Sequence, residues 1–203
     1  MPFSELWALL VLATAMSFTP GPNTTLSTAL AANLGLRRAL PFVLSVPVGW
    51  GLLLTLCALG LGALVLAVPA LAWGIKGVGV AYLWWLAWKL AQTRQLGQAS
   101  DKALSIGFAQ GVALQFVNIK AWMLALAVVS GWIAGHHSPG LRYVWVLPVM
   151  LFFAFSSNLT YALVGSLLRH WLAGPDGTAR RLLVFNRCMA AVLGATGVWM
   201  LLR

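Results

Sequence analysis

Acidic residues are almost missing from this chain. Three carboxylates, Glu5, Asp101 and Asp176, stand against thirteen lysines and arginines in 203 residues. Each lies at a terminus or in a polar connector, so none falls at depth in an apolar run. That excludes a carboxylate proton relay, an acidic cation site and an intramembrane metal centre. It also removes most membrane hydrolase designs, which need an acid, a base or a metal. Cysteine is equally scarce: Cys57 and Cys188 are far apart and form no CxxC. They read as small core residues rather than a redox pair or zinc site, and nothing calls for a metal or a cofactor. A basic leader is missing too, and the first apolar run continues into the Pro20-Gly21-Pro22 break. The first apolar segment is therefore expected to remain as a span.

What the chain has instead is hydrophobicity: 61% of its residues are hydrophobic, only 8% are charged, and the mean hydropathy is +0.90. Too little polar surface remains to cover a water-soluble domain of this size. Apolar runs of about 20 residues, the length that crosses a bilayer, recur throughout. The expectation is an all-α polytopic membrane protein with about six transmembrane helices. They cover roughly Glu5 to Asn33, Leu40 to Val68, Ala70 to Lys89, Ile106 to Ala134, Tyr143 to Leu168 and Leu182 to Leu202. Gly49, Gly51, Gly60 and Gly62 in the second span read as close-packing positions. Tyr82, Trp84, Trp85 and Trp88 form an interfacial aromatic belt. His136 and His137 fit a solvated turn, and Gly174 to Gly177 another.

The net charge of +10 comes with no aromatic-plus-basic cluster or binding motif, so nucleic acid is not the expected partner. Six spans put Arg37, Arg38, Lys89, Arg94, Lys102, Arg169, Arg180, Arg181 and Arg187 on one side. Lys76, Arg142 and Arg203 fall on the other. Basic loops stay in the cytoplasm, which places both termini outside and leaves the lipid bilayer as the surrounding partner.

The polar residues inside the spans are few. Thr19-Pro20-Gly21-Pro22-Asn23 interrupts the first span with two prolines around a glycine, more than a kink needs. A helix broken at that depth must be sheltered by neighbours or line a polar cavity, and discontinuous spans mark substrate sites. In the fourth span, Gln115 and Asn118 share a face with Gly111. Lys120 joins that face only if the helix loosens near Ile119. A lysine at mid-span is expensive and by default functional. Asn158 and Asn186 fit interhelical glue as well as a substrate role, and Lys76 fits an interfacial position as well as a functional one. The candidate substrate-binding set is Pro20, Gly21, Pro22, Asn23, Gln115, Asn118, Lys120 and Asn158. Asn23 and Asn118 would correspond in two halves, about 1–92 and 105–203, joined by a cytoplasmic connector. With three spans each, the halves form an inverted repeat within one transporter domain.

Thr19 to Asn23, together with Gly107-Phe108 and Gln115-Phe116-Val117-Asn118-Ile119-Lys120, resembles the LysE/RhtB amino-acid exporters. Ala81 to Lys89 (A-Y-L-W-W-L-A-W-K) and Ala113 to Asn118 (A-L-Q-F-V-N) are most similar to the cysteine and O-acetylserine exporter branch. Many members have Asn-Pro-Lys where this chain has Asn118-Ile119-Lys120, which leaves a full break of the fourth span open. The resemblance implies ion-gradient-driven export of small zwitterionic amino acids or derivatives across the bacterial inner membrane, with no enzymatic step. Its partners would be the amino acid and a proton or other coupling ion, and a homodimer is compatible. A channel-like or ion-exporting protein on the same broken helices, and a membrane redox or assembly protein, are the alternatives.

Overall fold

Hydrocarbon satisfies no free amide or carbonyl, so apolar runs fold into helices that close their own hydrogen bonds. The computed structural model describes residues 1–93, 106–174 and 180–202 and contains no strand among them. Its helices are α1 (Phe3–Phe18), α2 (Pro22–Leu34), α3 (Leu36–Ala58), α4 (Leu61–Ala67) and α5 (Pro69–Gln92). They continue with α6 (Phe108–Val117), α7 (Ile119–Val128, extended by a π turn Val129–Ile133), α8 (Pro139–Ala173) and α9 (Arg180–Leu201). By length and composition α3, α5, α8 and α9 can each cross a membrane. Two further crossings are bent pairs: α1 with α2 at 50°, and α6 with α7 and its π turn at 70°. The count of six holds when each bent pair is one span.

Polarity is inverted relative to a soluble protein. Leu167, Phe152 and Val78 are 79%, 63% and 61% exposed, while Ser27, Gln115 and Asn186 are fully buried. An apolar exterior this broad belongs in lipid, and the chain is a multi-pass helical membrane protein.

The second span departs from the expectation. It stops at Ala58, and the short α4 follows. Gly60 has φ +105° and nothing within 4 Å of where a Cβ would stand. It terminates a helix rather than packing one, because glycine enters this conformation without steric cost. Gly49 does pack: a Cβ there would come within 2.8 Å of the Val112 backbone, so α3 and α6 lie almost in backbone contact. Cys57 is buried as expected, but Cys188 is exposed on α9 and is not a core residue.

The packing gathers the basic residues at one end. Gly35 lies beside the Arg169 guanidinium, Asn186 donates to the Thr93 carbonyl at 3.0 Å, and Arg181 stacks over Trp171 at 5.1 Å. At the opposite end Arg142 pairs with Glu5 at 2.5 Å, and the Trp132 indole donates to the Glu5 carbonyl at 2.9 Å. Lys76 stacks on Trp73 at 4.4 Å, an arrangement suited to an interfacial anchor. Of the polar connector, Arg94, Asp101 and Lys102 lie outside the described residues, as do Pro175 to Gly177 and Arg203.

Candidate substrate site between two helix breaks

The first break follows from missing donors. A helix bonds each N–H to the carbonyl four residues back. Pro20 and Pro22 have no N–H, so the carbonyls of Met16 and Phe18 lose their helical partners. Neighbouring helices take over part of that role. The Tyr161 hydroxyl on α8 donates to the Phe18 carbonyl at 2.9 Å. The Lys120 ammonium on α7 donates to the Thr19 carbonyl at 2.7 Å. Gly21 folds in against the Thr24 hydroxyl, which accepts from its amide at 3.0 Å. A Cβ on Gly21 would stand 3.2 Å from Cδ and 3.3 Å from Nζ of Lys120, so glycine is what lets the lysine approach. The second helix half starts at Pro22, and the amides of Asn23 and Thr24 head it without helical partners.

The second break needs no proline. Asn118 is extended, with φ −91° and ψ +102°, and its Oδ1 accepts from the Lys120 amide at 3.2 Å. An asparagine that caps its own helix start ends the preceding helix as effectively as proline would. Ile119 therefore does not keep the fourth span whole, and its 70° bend exceeds the 50° of the first. This turn brings Lys120 to the Pro-Gly-Pro segment.

A cavity with about 510 Å³ of empty volume, part of it open to the outside, lies between the breaks. Gly21, Pro22, Asn23, Asn118, Lys120 and Asn158 all line it. Pro20 lies instead in an adjoining, more apolar cleft that shares Thr19, Gly21 and Lys120 with the cavity. Gln115 lines neither; it stands behind Asn23 and holds it. Asn23 Nδ2 donates to Gln115 Oε1 at 2.8 Å, and Gln115 Nε2 returns a bond to Asn23 Oδ1 at 3.1 Å. Asn158 is both wall and glue: its Oδ1 accepts from Ser27 Oγ at 2.9 Å, and its Nδ2 donates to the Ala154 carbonyl at 2.8 Å. Asn186 is away from the cavity and exchanges bonds of 2.8 and 2.9 Å with Asn33, tying α9 to α2.

Sequence reasoning missed Tyr161, Trp50 and Ser157. Trp50 and Ser157 line the cavity, and Tyr161 supports the first break. Aromatic residues in apolar runs carry no signal of this kind; only the break in the first span, with its freed carbonyl, shows why a hydroxyl is needed.

Apolar exterior, two broken spans and a cavity with amides and a lysine in its wall where they meet define a class, the helical membrane transporter. Residues 14–203 match the family described as LysE type translocator, and the chain belongs to it. A translocator moves its substrate without transforming it, so the protein is not an enzyme. Curated relatives include the cysteine/O-acetylserine efflux protein of Salmonella typhimurium (strain LT2), 30% identical over 172 residues, 83% of this chain and 85% of the relative. The proteins of the same name from Escherichia coli (strain K12) and Klebsiella pneumoniae are also 30% identical. They cover 82% and 75% of this chain and 83% and 78% of their own. No solved structure matches.

Proposed function

We propose that this protein is a secondary-active exporter of small zwitterionic amino acids or their derivatives, of the cysteine and O-acetylserine kind, in the bacterial inner membrane. The observation that carries the reading is Lys120. A lysine at the centre of a span costs about 2.5–3.5 kcal/mol. One charge-assisted hydrogen bond returns about 1.5–3 kcal/mol, and the Thr19 carbonyl supplies one. The ammonium has two donors left, faces the cavity, and no described carboxylate lies near it. A substrate carboxylate fits there, beside the partnerless amides heading α2. The substrate ammonium falls to the carbonyl oxygens of Asn23, Asn118 and Asn158, each with a lone pair to spare.

Helix packing supports an inverted repeat within a single transport domain. The α1–α2 pair packs on α8, the α6–α7 pair packs on α3, and α5 packs on α9. Exchanging residues 1–92 with 105–203 maps this pattern onto itself. The basic end is cytoplasmic in this reading and both termini face the periplasm. Coupling to a proton gradient runs through Lys120, which exchanges its Thr19 bond for the substrate as the two halves rock.

Counterflow tests the function. Vesicles preloaded with unlabelled O-acetyl-L-serine and holding the purified protein accumulate the labelled compound transiently if the protein is a carrier. Conductive ion flux without counterflow identifies a channel and overturns the reading.

A further inference from the structure

Trp50 lies on α3 in the cavity wall, among Val46, Ala121, Leu124 and Met150. Trp50, Ala121, Leu124 and Met150 belong to one buried apolar cluster, and they share the cavity wall with Lys120 and Asn23. The indole is only 4% exposed. Its Nε1–H is the one buried side-chain nitrogen or oxygen, among the described residues, that has no hydrogen-bond partner. Three other indoles are paired with backbone carbonyls. Trp84 donates to Gly194 at 3.3 Å, Trp122 to Phe116 at 2.8 Å, and Trp132 to Glu5 at 2.9 Å. Leaving a buried donor unmet costs about 1–3 kcal/mol, and in this case the donor belongs to a ring that forms the wall of the substrate cavity.

We propose that Trp50 is a specificity-determining residue whose indole N–H donates to an acceptor on the substrate side chain. This rests on the amino-acid export reading and narrows it. Indole N–H donates and never accepts, so it selects for a carbonyl, ester or amide oxygen. The carboxylate of the substrate is engaged at the other end, by Lys120 and the head of α2. The walls around Trp50 are apolar and favour a side chain that is otherwise hydrocarbon. The preferred class is therefore an acylated hydroxy-amino acid, with an ester carbonyl partway along and a methyl group at its tip. A purely aliphatic side chain of the same length would bury the N–H unmet and be disfavoured.

Competition against labelled O-acetyl-L-serine uptake in vesicles tests this without any mutation. Unlabelled O-acetyl-L-serine should compete about tenfold better than L-norleucine, which has a side chain of similar length without the carbonyl, as one buried hydrogen bond implies. Trp50→Phe keeps the ring and removes the N–H, so the ratio of the two should fall towards one. Equal competition by both compounds in the parent protein overturns the proposal even if the variant fails to fold. So does an unchanged ratio in a well-expressed Trp50→Phe, the outcome expected if the indole reads the carboxylate or only packs. Absence of any O-acetyl-L-serine or L-norleucine transport by the parent protein would instead overturn the export reading itself.

Discussion

Lys120 and Gly21 form a pair in which each explains the other. The lysine passes close over residue 21 on its way to the Thr19 carbonyl, and a Cβ there would stand 3.2 Å from its Cδ and 3.3 Å from its Nζ, so the side chain would have to give by a few tenths of an ångström. Gly21 is extended, so alanine meets no backbone strain. Gly21→Ala is therefore expected to leave protein levels in the membrane near normal while pushing the ammonium off its position. Transport should fall by about tenfold or more, the effect of a misplaced charged hydrogen bond. Vesicle uptake normalised to protein amount checks this, and a parent-like rate would show that the approach is not needed. At this scale the sequence was informative about charged residues and amides. Lys120, Asn23, Asn118 and Asn158 were legible because polar groups at membrane depth are costly. Gln115 was legible as polar, but its place behind Asn23 was not, since a helix face alone does not say which neighbour fills it.

The elements show how a break is made twice by different means. The first uses Pro20 and Pro22, which withhold donors; the second uses the Asn118 cap. The first was readable from proline and glycine. The second was obscured by Ile119, because an N-cap inside an apolar run looks like any other polar residue. Restoring donors should begin to undo the first break. With an N–H at position 22 the Phe18 carbonyl regains a helical partner and competes with Tyr161, favouring a straighter span. Pro22→Ala and, separately, Asn23→Ala are expected to abolish transport while much of the protein still reaches the membrane. Immunoblotting of membranes beside uptake assays separates the two effects. Full transport by both variants would reduce the segment to a kink.

Across the whole molecule, charge and packing tell one story from independent directions. Counting spans puts most basic residues on one side, and the packing brings Gly35 to Arg169 and Thr93 to Asn186 at one end. Span number was legible because hydrophobic length is set by the bilayer. The interruption at Gly60 was not, since glycine in a span reads equally as packing. With the basic end in the cytoplasm, cysteines placed at 38 and 181, in a background lacking Cys57 and Cys188, should resist an impermeant thiol reagent applied to intact cells. A cysteine at 137 should react. Rapid external labelling at 38 would reverse the orientation.

If a substrate carboxylate meets Lys120 between the two breaks, transport depends on the charge at that position. Purified parent protein and Lys120→Gln, in vesicles at equal amounts, are given labelled O-acetyl-L-serine under an imposed pH gradient. Glutamine retains much of the length and all of the polarity but carries no charge, so it cannot bind the carboxylate as an ion pair or exchange a proton. Gradient-driven uptake by the parent and near-background uptake by Lys120→Gln are expected. Uptake by Lys120→Gln equal to the parent would contradict that dependence and leave the lysine a structural partner of the Thr19 carbonyl.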